Sequence, residues 1–261
     1  MLDYVRQSLG RFYGRFRRNR SDLQPKLAWP ESRKPGYEYL SGNGIEIGAL
    51  HQPALVPSRC RVSYVDAMTK EEGAKLFAEL DPSTLVEVSQ VVNLDTEGLA
   101  PFKTGSLDFV ILNHVIEHVA NPMKVVGELF RVLKEGGIAV ISAPDKRFCF
   151  DRDRELTSFD HLFSEFQQGV TSVTDEHYLD FLKAVHPEHF NQPKEIVQEY
   201  VEKVKARREH AHVWNSDTFE NFLVETLKRL KIQAKPLYET DGDQNGFEYF
   251  GVWQKTYRTI C

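Results

Sequence analysis

The chain has 261 residues, of which 41% are hydrophobic and 27% charged, a globular composition that excludes a disordered or collagen-like chain. Its 33 basic and 38 acidic side chains give a formal net charge of −5, so we expect no nucleic-acid partner. The longest apolar stretches, Phe109–Leu112 and Ile138–Ile141, are far shorter than the roughly 20 residues of a membrane-spanning helix. Three cysteines without CxxC spacing favour a reducing, cytoplasmic location.

The first 35 residues differ from the rest of the chain. Residues 1–20 carry six arginines against a single acid, Asp3, with apolar side chains at helical spacing. This pattern is typical of a basic amphipathic helix that contacts an anionic membrane surface, and a solvated arm is the alternative. Prolines then recur up to residue 35 and indicate a linker. We therefore predict a basic N-terminal arm and linker at 1–35 and one globular domain at 36–261.

From about residue 44 onward, short apolar runs alternate with helical patterns. Such alternation predicts a parallel α/β sheet with right-handed crossovers. Asn121 and Pro122 indicate the start of a helix, which Glu135 and the glycines after it should end. The strand candidates, in chain order, are Gly44–Ile47, Arg61–Val65, a part of Leu85–Asn93, Asp108–Leu112, Ile138–Ile141, Ile232–Leu237 and Phe247–Gln254, the last two paired as a hairpin.

Residues 145–212 interrupt the alternation. They are charged and rich in aromatic residues and histidine, without an obvious central strand. We interpret them as an insertion over the carboxyl edge of the sheet. Beyond the insertion, Asp217 and Glu220 predict the capping box of a further amphipathic helix.

Acidic and polar residues follow the predicted strands at the edge where ligands of such sheets bind. Asp66, for example, comes 18 residues after Gly48, where a carboxylate can accept hydrogen bonds from both hydroxyls of a ribose. Small residues after the first strand let the backbone pass close to a ligand. The candidates are Glu46 and Gly48 after the first strand, Asp66 after the second, Asp95 and Thr96 after the third, and Asn113 and His114 after the fourth.

The run from Leu94 to Pro144 resembles the class I S-adenosylmethionine-dependent methyltransferases, and a wider resemblance covers about residues 40–145. In the family's first motif Glu46 and Gly48 match, whereas Ala49 and Leu50 depart from its further glycines. The residues that stand in the family's order and spacing are Asp95, Pro101-Phe102, Ser106-Leu107-Asp108, Glu117-His118, Arg131-Val132-Leu133-Lys134 and Gly136-Gly137.

The resemblance implies an α/β, Rossmann-like seven-stranded methyltransferase sheet with an inserted helical lid segment. It also implies S-adenosyl-L-methionine as the cofactor and methyl transfer as the reaction. By the same resemblance, the methionine end would meet Glu46 and Gly48, the ribose Asp66, the adenine Asp95 and Thr96, and the methyl donor Asn113 and His114.

The acceptor is suggested by the charged segment 144–154. It resembles methyltransferases of bacterial surface-glycan and glycosyltransferase-associated pathways, which implies a sugar hydroxyl, with Arg147 and Arg152 as candidate contacts. A hydroxyl acceptor needs a base. The candidates are His118, Asp145 and His161, of which we prefer Asp145 or His161. A small metabolite or a protein is the alternative acceptor.

A metal site is a further alternative. His114, Glu117 and His118 would lie together on one helical turn, and His210 and His212 could add ligands. Residues at the start of a helix can equally stabilise a loop, and we predict no bound metal.

Two other classes of protein compete with the methyltransferase. A nicotinamide-dependent oxidoreductase would need GxGxxG after the first strand, and Pro53 interrupts the helix start that would hold a pyrophosphate. A non-catalytic module that keeps the fold would not need the acids Glu46, Asp66 and Asp95. We therefore favour the enzyme.

Overall fold

A computed structural model of the protein describes residues 31–257, so the arm for which we predict membrane contact lies outside the described residues. Within this range, seven strands form one sheet in the order β3-β2-β1-β4-β5-β7-β6. Neighbouring strands are parallel, except that β7 runs antiparallel to both β5 and β6. The strands are β1 (Gly42–Ile47), β2 (Cys60–Asp66), β3 (Val88–Val91), β4 (Leu107–Asn113), β5 (Leu133–Pro144), β6 (Ala234–Thr240) and β7 (Glu248–Lys255). The predicted α/β methyltransferase-type sheet is confirmed.

Helices cover both faces of the sheet and build the insertion. Short 3-10 turns lie at Glu31–Arg33, Pro82–Thr84, Ile116–His118, Lys146–Phe148 and Phe150–Asp153. The α-helices are α1 (Lys34–Tyr37), α2 (Lys70–Leu76), α3 (Pro122–Val132), α4 (Phe159–Gln168), α5 (Asp175–Val185), α6 (Pro187–Phe190), α7 (Lys194–Ala206), α8 (Ser216–Arg229) and α9 (Gly242–Asn245). No helix within 31–257 is both long and apolar enough to cross a membrane.

Local sequence explains where the central helices begin and end. The Asn121 side chain accepts a hydrogen bond from the Lys124 N–H, and Pro122 occupies the first turn of α3, as predicted. The helix ends at Val132, short of the predicted Glu135, because β5 begins at the next residue. The predicted capping box of α8 at Asp217 and Glu220 is wrong. Asn215 caps this helix together with Thr218.

Two apolar layers hold the sheet. Alternate residues of β1, such as Ile45 and Ile47, face α3 and α8. On the other face, Tyr37 of α1 packs with buried residues of β4, β5 and β7. Ser32 and Arg33 are buried as well, so residues 31–35, which we had placed in the linker, are part of the folded domain.

The insertion at 145–212 is helical, as predicted, and it has a small core of its own. Phe181, Leu182 and Val201 are buried between α5 and α7. The chain returns to the sheet beside Asp145, whose backbone bridges that of Trp214. The inserted helices are thereby anchored at the carboxyl edge of β5.

Candidate active site

The candidate site lies where β1 and β4 adjoin. The chain runs from β1 through β2 to β3 on one side and from β4 to β5 on the other, and this change of direction opens a crevice beyond the carboxyl ends of the strands. All of the predicted cofactor residues come to this edge. Glu46 and Gly48 stand at the end of β1, Asp66 ends β2, Asp95 and Thr96 follow β3, Asn113 ends β4 and His114 follows it.

The loop after β1 is built by close approach of its backbone to the β4 loop. Gly48 has a φ of 72°, and a Cβ on it would lie 2.5 Å from Cγ2 of Val115, so only glycine fits. Leu50 also has a positive φ, of 47°. The backbone thus keeps a left-handed turn at one of the positions where the sequence departs from the family's glycines.

Glu46 is buried beneath this loop. Both of its carboxylate oxygens lie 3.0 Å from the backbone nitrogen of Ala54, which donates to them. Burial raises the pKa of Glu46 to about 7, since a single N–H is weak compensation for desolvation.

A narrow recess opens beyond β2. Apolar side chains form most of its wall, and Asp66 provides the carboxylate. Burial raises the pKa of Asp66, although the N–H groups of Ala67 and Met68 favour its ionised form. The recess has a free volume of only about 10 Å³, so it would have to widen to admit a nucleoside. Its lining, apolar with one carboxylate, is of the kind that a base and a ribose with two donors take. The recess is lined by Leu50, Asp66, Met68, Thr69, Lys70, Gly73, Leu85, Val86 and Val88.

Asp95 joins neighbouring loops. Its Oδ1 accepts a hydrogen bond from the Ala120 N–H at 2.7 Å, and its Oδ2 lies 3.5 Å from a guanidinium nitrogen of Arg208. Thr96 beside it is exposed. The contacts of Asp95 and Thr96 with adenine stay a prediction. In that prediction adenine would contact Oδ2 of Asp95, because this oxygen has the longer hydrogen bond within the protein.

A buried polar chain supports the end of β4. Arg33 donates to both carboxylate oxygens of Glu248 and, at 3.2 Å, to Oγ of Ser142. The Ser142 hydroxyl donates to Asn113 Oδ1, and Asn113 Nδ2 donates to the Tyr37 hydroxyl oxygen at 3.0 Å. This network ties together α1, β4, β5 and β7 and fixes the orientation of Asn113.

His114 has the geometry expected of a reactive group. It has a φ of 54°, its Nε2 lies 2.6 Å from Glu248 Oε2, and its ring stacks on Phe247 with centroids 5.0 Å apart. The side chain is 23% exposed, so a ligand can reach it. When Nε2 carries the proton and donates it to Glu248, Nδ1 is left with an electron pair, and this nitrogen lies 3.9 Å from Oε1 of the buried Glu117. An imidazole oriented by a carboxylate is the arrangement of a general base.

Glu248 stays ionised beside this histidine. Burial alone would raise its pKa, but the charge and hydrogen bonds of Arg33, together with His114, lower it to about 2. The carboxylate can therefore stabilise an imidazolium at His114 without taking up the proton itself.

Asp145 does not have the surroundings of a base. Arg147 donates to both of its oxygens, and the backbone N–H and hydroxyl of Ser216 donate to Oδ2. Although burial opposes ionisation, these bonds lower the pKa of Asp145. We therefore replace Asp145 with His114 as the candidate base and assign Asp145 the anchoring of the insertion.

His161, the other candidate base, lies on α4 in the insertion. Its recorded polar side-chain contacts are with Glu165 and His177. Its assignment as a base stays a prediction, and His114 fits that role better because it follows β4 at the sheet edge.

The insertion covers the crevice with a strap at residues 207–210. Arg207 donates to the Glu79 carboxylate at 2.7 Å and to the Leu76 carbonyl, while Arg208 reaches Asp95. The carbonyl of Arg208 is 2.5 Å from Nδ1 of His118. These contacts close the site on the side of β2 and β3, as a lid would.

Sequence reasoning missed Arg33, Tyr37, Ser142 and Glu248. A signal existed for Glu248, since an acid opens an otherwise apolar strand. Arg33 and Tyr37 gave none, because their partners are far away in the sequence.

Histidines and glutamates gather in two further groups near the strap and the insertion. His118 and His210 face the buried Glu117, with nitrogen–oxygen distances of 3.7 and 3.8 Å. The second group consists of His161, Glu165, His177 and His212. His210 and His212, which we had considered together, thus belong to different groups.

Comparison with known proteins agrees with this geometry. Residues 41–141 match the family described as a methyltransferase domain. An uncharacterized methyltransferase of Mycobacterium avium is 34% identical over 87 residues, which are 30% of this chain and 34% of that protein. The ubiquinone biosynthesis O-methyltransferase of Psychrobacter arcticus is 29% identical over 96 residues, which are 36% of this chain and 37% of that protein. These matches span about a third of the length of the curated relatives.

Among solved structures, an S-adenosylmethionine-dependent methyltransferase from Aquifex aeolicus is 14% identical, with a TM-score of 0.45 over 88% of this chain and 92% of that one. Together with the strand order, the family match confirms the class predicted from the sequence. The chain contains a class I methyltransferase domain, for which S-adenosylmethionine is the cofactor.

Proposed function

We propose that the protein transfers a methyl group from S-adenosylmethionine to a hydroxyl of a sugar, in particular of a surface glycan. The observation that carries this proposal is that one sheet edge holds both a carboxylate at the end of β2, Asp66, and a histidine oriented by a carboxylate, at His114 and Glu248.

The residues at the edge fit the cofactor chemically. Its nucleoside would occupy the recess, with Asp66 accepting from the ribose hydroxyls. Its positively charged methionine end would lie toward Gly48 and the buried carboxyl of Glu46. When bound, the cofactor supplies an electrophilic methyl group on a sulfonium.

His114 would act on the acceptor. As the hydroxyl oxygen attacks the methyl carbon and the carbon–sulfur bond breaks, the hydroxyl proton passes to Nδ1 of His114. The imidazolium so formed is stabilised by Glu248, to which its Nε2–H donates. Holding acceptor and methyl group in line supplies much of the remaining rate acceleration.

Two further points support an oxygen acceptor. A base is needed only where the acceptor loses a proton, as a hydroxyl does. The relative from Psychrobacter arcticus is named an O-methyltransferase. The glycan rests on the resemblance of residues 144–154. In that segment Arg147 is held by Asp145 and Asp243, and Arg152 is exposed and available to a sugar.

The first experiment is a calorimetric titration of the full chain with S-adenosylhomocysteine, with NAD in parallel. We expect micromolar binding of S-adenosylhomocysteine only. Asp66→Asn should weaken it by about 10- to 100-fold, because charge-assisted hydrogen bonds contribute about 1.5–3 kcal/mol. Asp108→Asn is the matched control, since Asp108 lies at the opposite end of the sheet beside Lys134.

Each other outcome has a distinct meaning. Binding of NAD alone would overturn the methyltransferase. Binding of neither ligand would favour a non-catalytic module. Once the cofactor binds, labelled methyl transfer is measured to a panel of sugars and oligosaccharides and to one of amines and peptides. Transfer confined to the second panel would overturn the hydroxyl acceptor and leave the cofactor assignment intact.

A further inference from the structure

The second group of histidines, which we call the insertion histidine cluster, consists of His161, Glu165, His177 and His212. His161 and Glu165 lie one turn apart on α4, His177 lies in the first turn of α5, and His212 lies in the segment that leads back to the sheet. One nitrogen or oxygen atom from each of the four lies within 4.8 Å of all the others.

The spacing of these atoms is that of ligands around one ion. Nε2 of His161 is 3.1 Å from Glu165 Oε1 and 3.2 Å from Nε2 of His177, and the latter is 3.5 Å from Glu165 Oε1. In a tetrahedral zinc site with bonds of about 2.0–2.1 Å, neighbouring ligand atoms are about 3.3–3.4 Å apart. The distances among His161, Glu165 and His177 bracket this value, and His212 lies farther out, with Nε2 3.8 Å from Glu165 Oε2.

Hydrogen bonds hold two of the rings in place, as they usually do in metal sites. Nδ1 of His177 is 3.0 Å from the Thr174 hydroxyl, so its Nε2 points to the cluster. Nε2 of His212 is 3.0 Å from the Val119 carbonyl oxygen and 3.8 Å from Oε2 of Glu165. Such hydrogen bonds set the tautomer and orient histidine ligands in metal sites.

The cluster contains buried polar atoms that the described residues do not satisfy. Nδ1 of the fully buried His212 and Oε2 of Glu165 have no hydrogen-bond partner within residues 31–257. Arg154, the nearby guanidinium, is paired with Asp151 and Asp180. The group therefore offers a carboxylate and three imidazoles to a cation.

The rival group around Glu117 has fewer donors. Nδ1 of His210 is 2.6 Å from Asp151, and Nδ1 of His118 contacts the Arg208 carbonyl. Both oxygens of Glu117 lack a hydrogen-bond partner within residues 31–257, as Oε2 of Glu165 does. The group offers three donors, however, one fewer than a closed tetrahedral site needs.

We propose that His161, Glu165, His177 and His212 bind one divalent transition-metal ion, and zinc in particular. Imidazole and carboxylate ligands suit zinc, and four protein donors complete a tetrahedron without an open position. The site is therefore structural. It fastens α4, α5 and the returning segment of the insertion to each other, independently of methyl transfer.

The test uses the full chain, stripped with a chelator, reloaded with zinc sulfate and desalted. We expect elemental analysis to find one zinc per chain. His161→Gln and His177→Gln should each weaken zinc binding at least about tenfold in competition with a chromogenic chelator. His118→Gln is the matched control, because it makes the same substitution in the rival group. Circular dichroism checks that each variant is folded.

Cobalt(II) reports on the geometry of the same site. The loaded wild type should show the intense visible absorption of tetrahedral cobalt, and the His177→Gln variant should lose it. The proposal is overturned if the wild type retains neither zinc nor cobalt. It is also overturned if both cluster variants retain zinc as tightly as the wild type, or if His118→Gln is the variant that loses it.

Discussion

Two carboxylates of the protein, Glu248 and Glu165, both contact histidine but differ in their other ion-pair partners. Glu248, at the edge of the sheet, is fully buried, and Arg33 donates to both of its oxygens while His114 contacts one of them. Glu165, in the insertion, is largely buried too, but its ion-pair partners within the described range are the imidazoles of His161, His177 and His212.

The difference shows in their protonation. The Arg33 guanidinium overcomes the effect of burial and lowers the pKa of Glu248 to about 2, whereas burial raises the pKa of Glu165 to about 7. A carboxylate whose charge is already neutralised can orient a histidine for proton transfer. A carboxylate whose ion-pair partners within the described residues are histidines alone is a place for a metal ion. The neighbouring arginine therefore decides between the two uses.

The largest expected effect is on stability, and it compares the same substitution at both sites. Glu248→Gln leaves Arg33 buried without its counter-charge, so we expect it to lower the free energy of unfolding by about 3–5 kcal/mol. Glu165→Gln in the metal-free protein removes a charge that has no such partner, so we expect a change within about 1 kcal/mol. Urea denaturation of the chelator-treated proteins measures both.

A double variant separates lost charge pairing from lost packing. Arg33→Met combined with Glu248→Gln should recover part of the stability that Glu248→Gln loses, since no uncompensated guanidinium remains. Equal costs at positions 248 and 165 would contradict the comparison.

The next effect is on catalysis. His114→Gln removes the imidazole that takes the acceptor proton, so we expect methyl transfer to the sugar acceptor to fall about 100-fold, or about 2.7 kcal/mol. The affinity for S-adenosylhomocysteine, measured by calorimetry, should change less than about threefold. His161→Gln is the control, since we assign it to the metal cluster. A larger loss of transfer in that variant would restore His161 as the base.

Zinc should stabilise the protein by binding to the insertion histidine cluster and at no other site. At a free zinc concentration about 100 times the dissociation constant, binding adds about 2.7 kcal/mol, which corresponds to a rise in Tm of roughly 5–10 °C. Thermal unfolding followed by circular dichroism measures this rise. Glu165→Gln should show little of it and Glu248→Gln should keep it. An equal rise in the wild type and Glu165→Gln would show that zinc acts elsewhere.

The sheet edge was more predictable from the sequence than the contacts made there. Each parallel strand ends at the same edge, so the strand pattern alone brought Glu46, Asp66 and Asn113 together. The partners of these residues come from afar, and Arg33 is 215 residues from Glu248. No local periodicity contains such a pairing.

The histidine groups of the insertion could not be predicted from the sequence either. Its helices could be expected from composition, but the direction in which each histidine points depends on how α4 and α5 pack. His210 and His212 are two residues apart, a spacing that would place them on one face of a regular strand, yet they join different groups because residues 209–213 form neither strand nor helix. Asp145 was misjudged for a related reason, since its donors from Ser216 lie 71 residues away.

Glu46 provides the smallest and sharpest test, because it is a buried carboxyl on which burial outweighs both the Ala54 N–H and the distant charge of Arg33. Since burial raises its pKa to about 7, its contribution to stability is present below about pH 4.5 and is lost as the pH rises through 7. The free protein should therefore become less stable over that range, and Glu46→Gln should remove this part of the slope. At pH 7 about half of the carboxyl is protonated.

The ammonium of a bound S-adenosylhomocysteine would favour the ionised form of Glu46, so binding at pH 7 should release up to about half a proton. Calorimetry in phosphate and in Tris detects this release, because the two buffers take up protons with different enthalpies. Glu46→Gln should bind without the buffer-dependent heat. An unchanged release in that variant would assign the proton to another group and would remove Glu46 from the methionine end of the site.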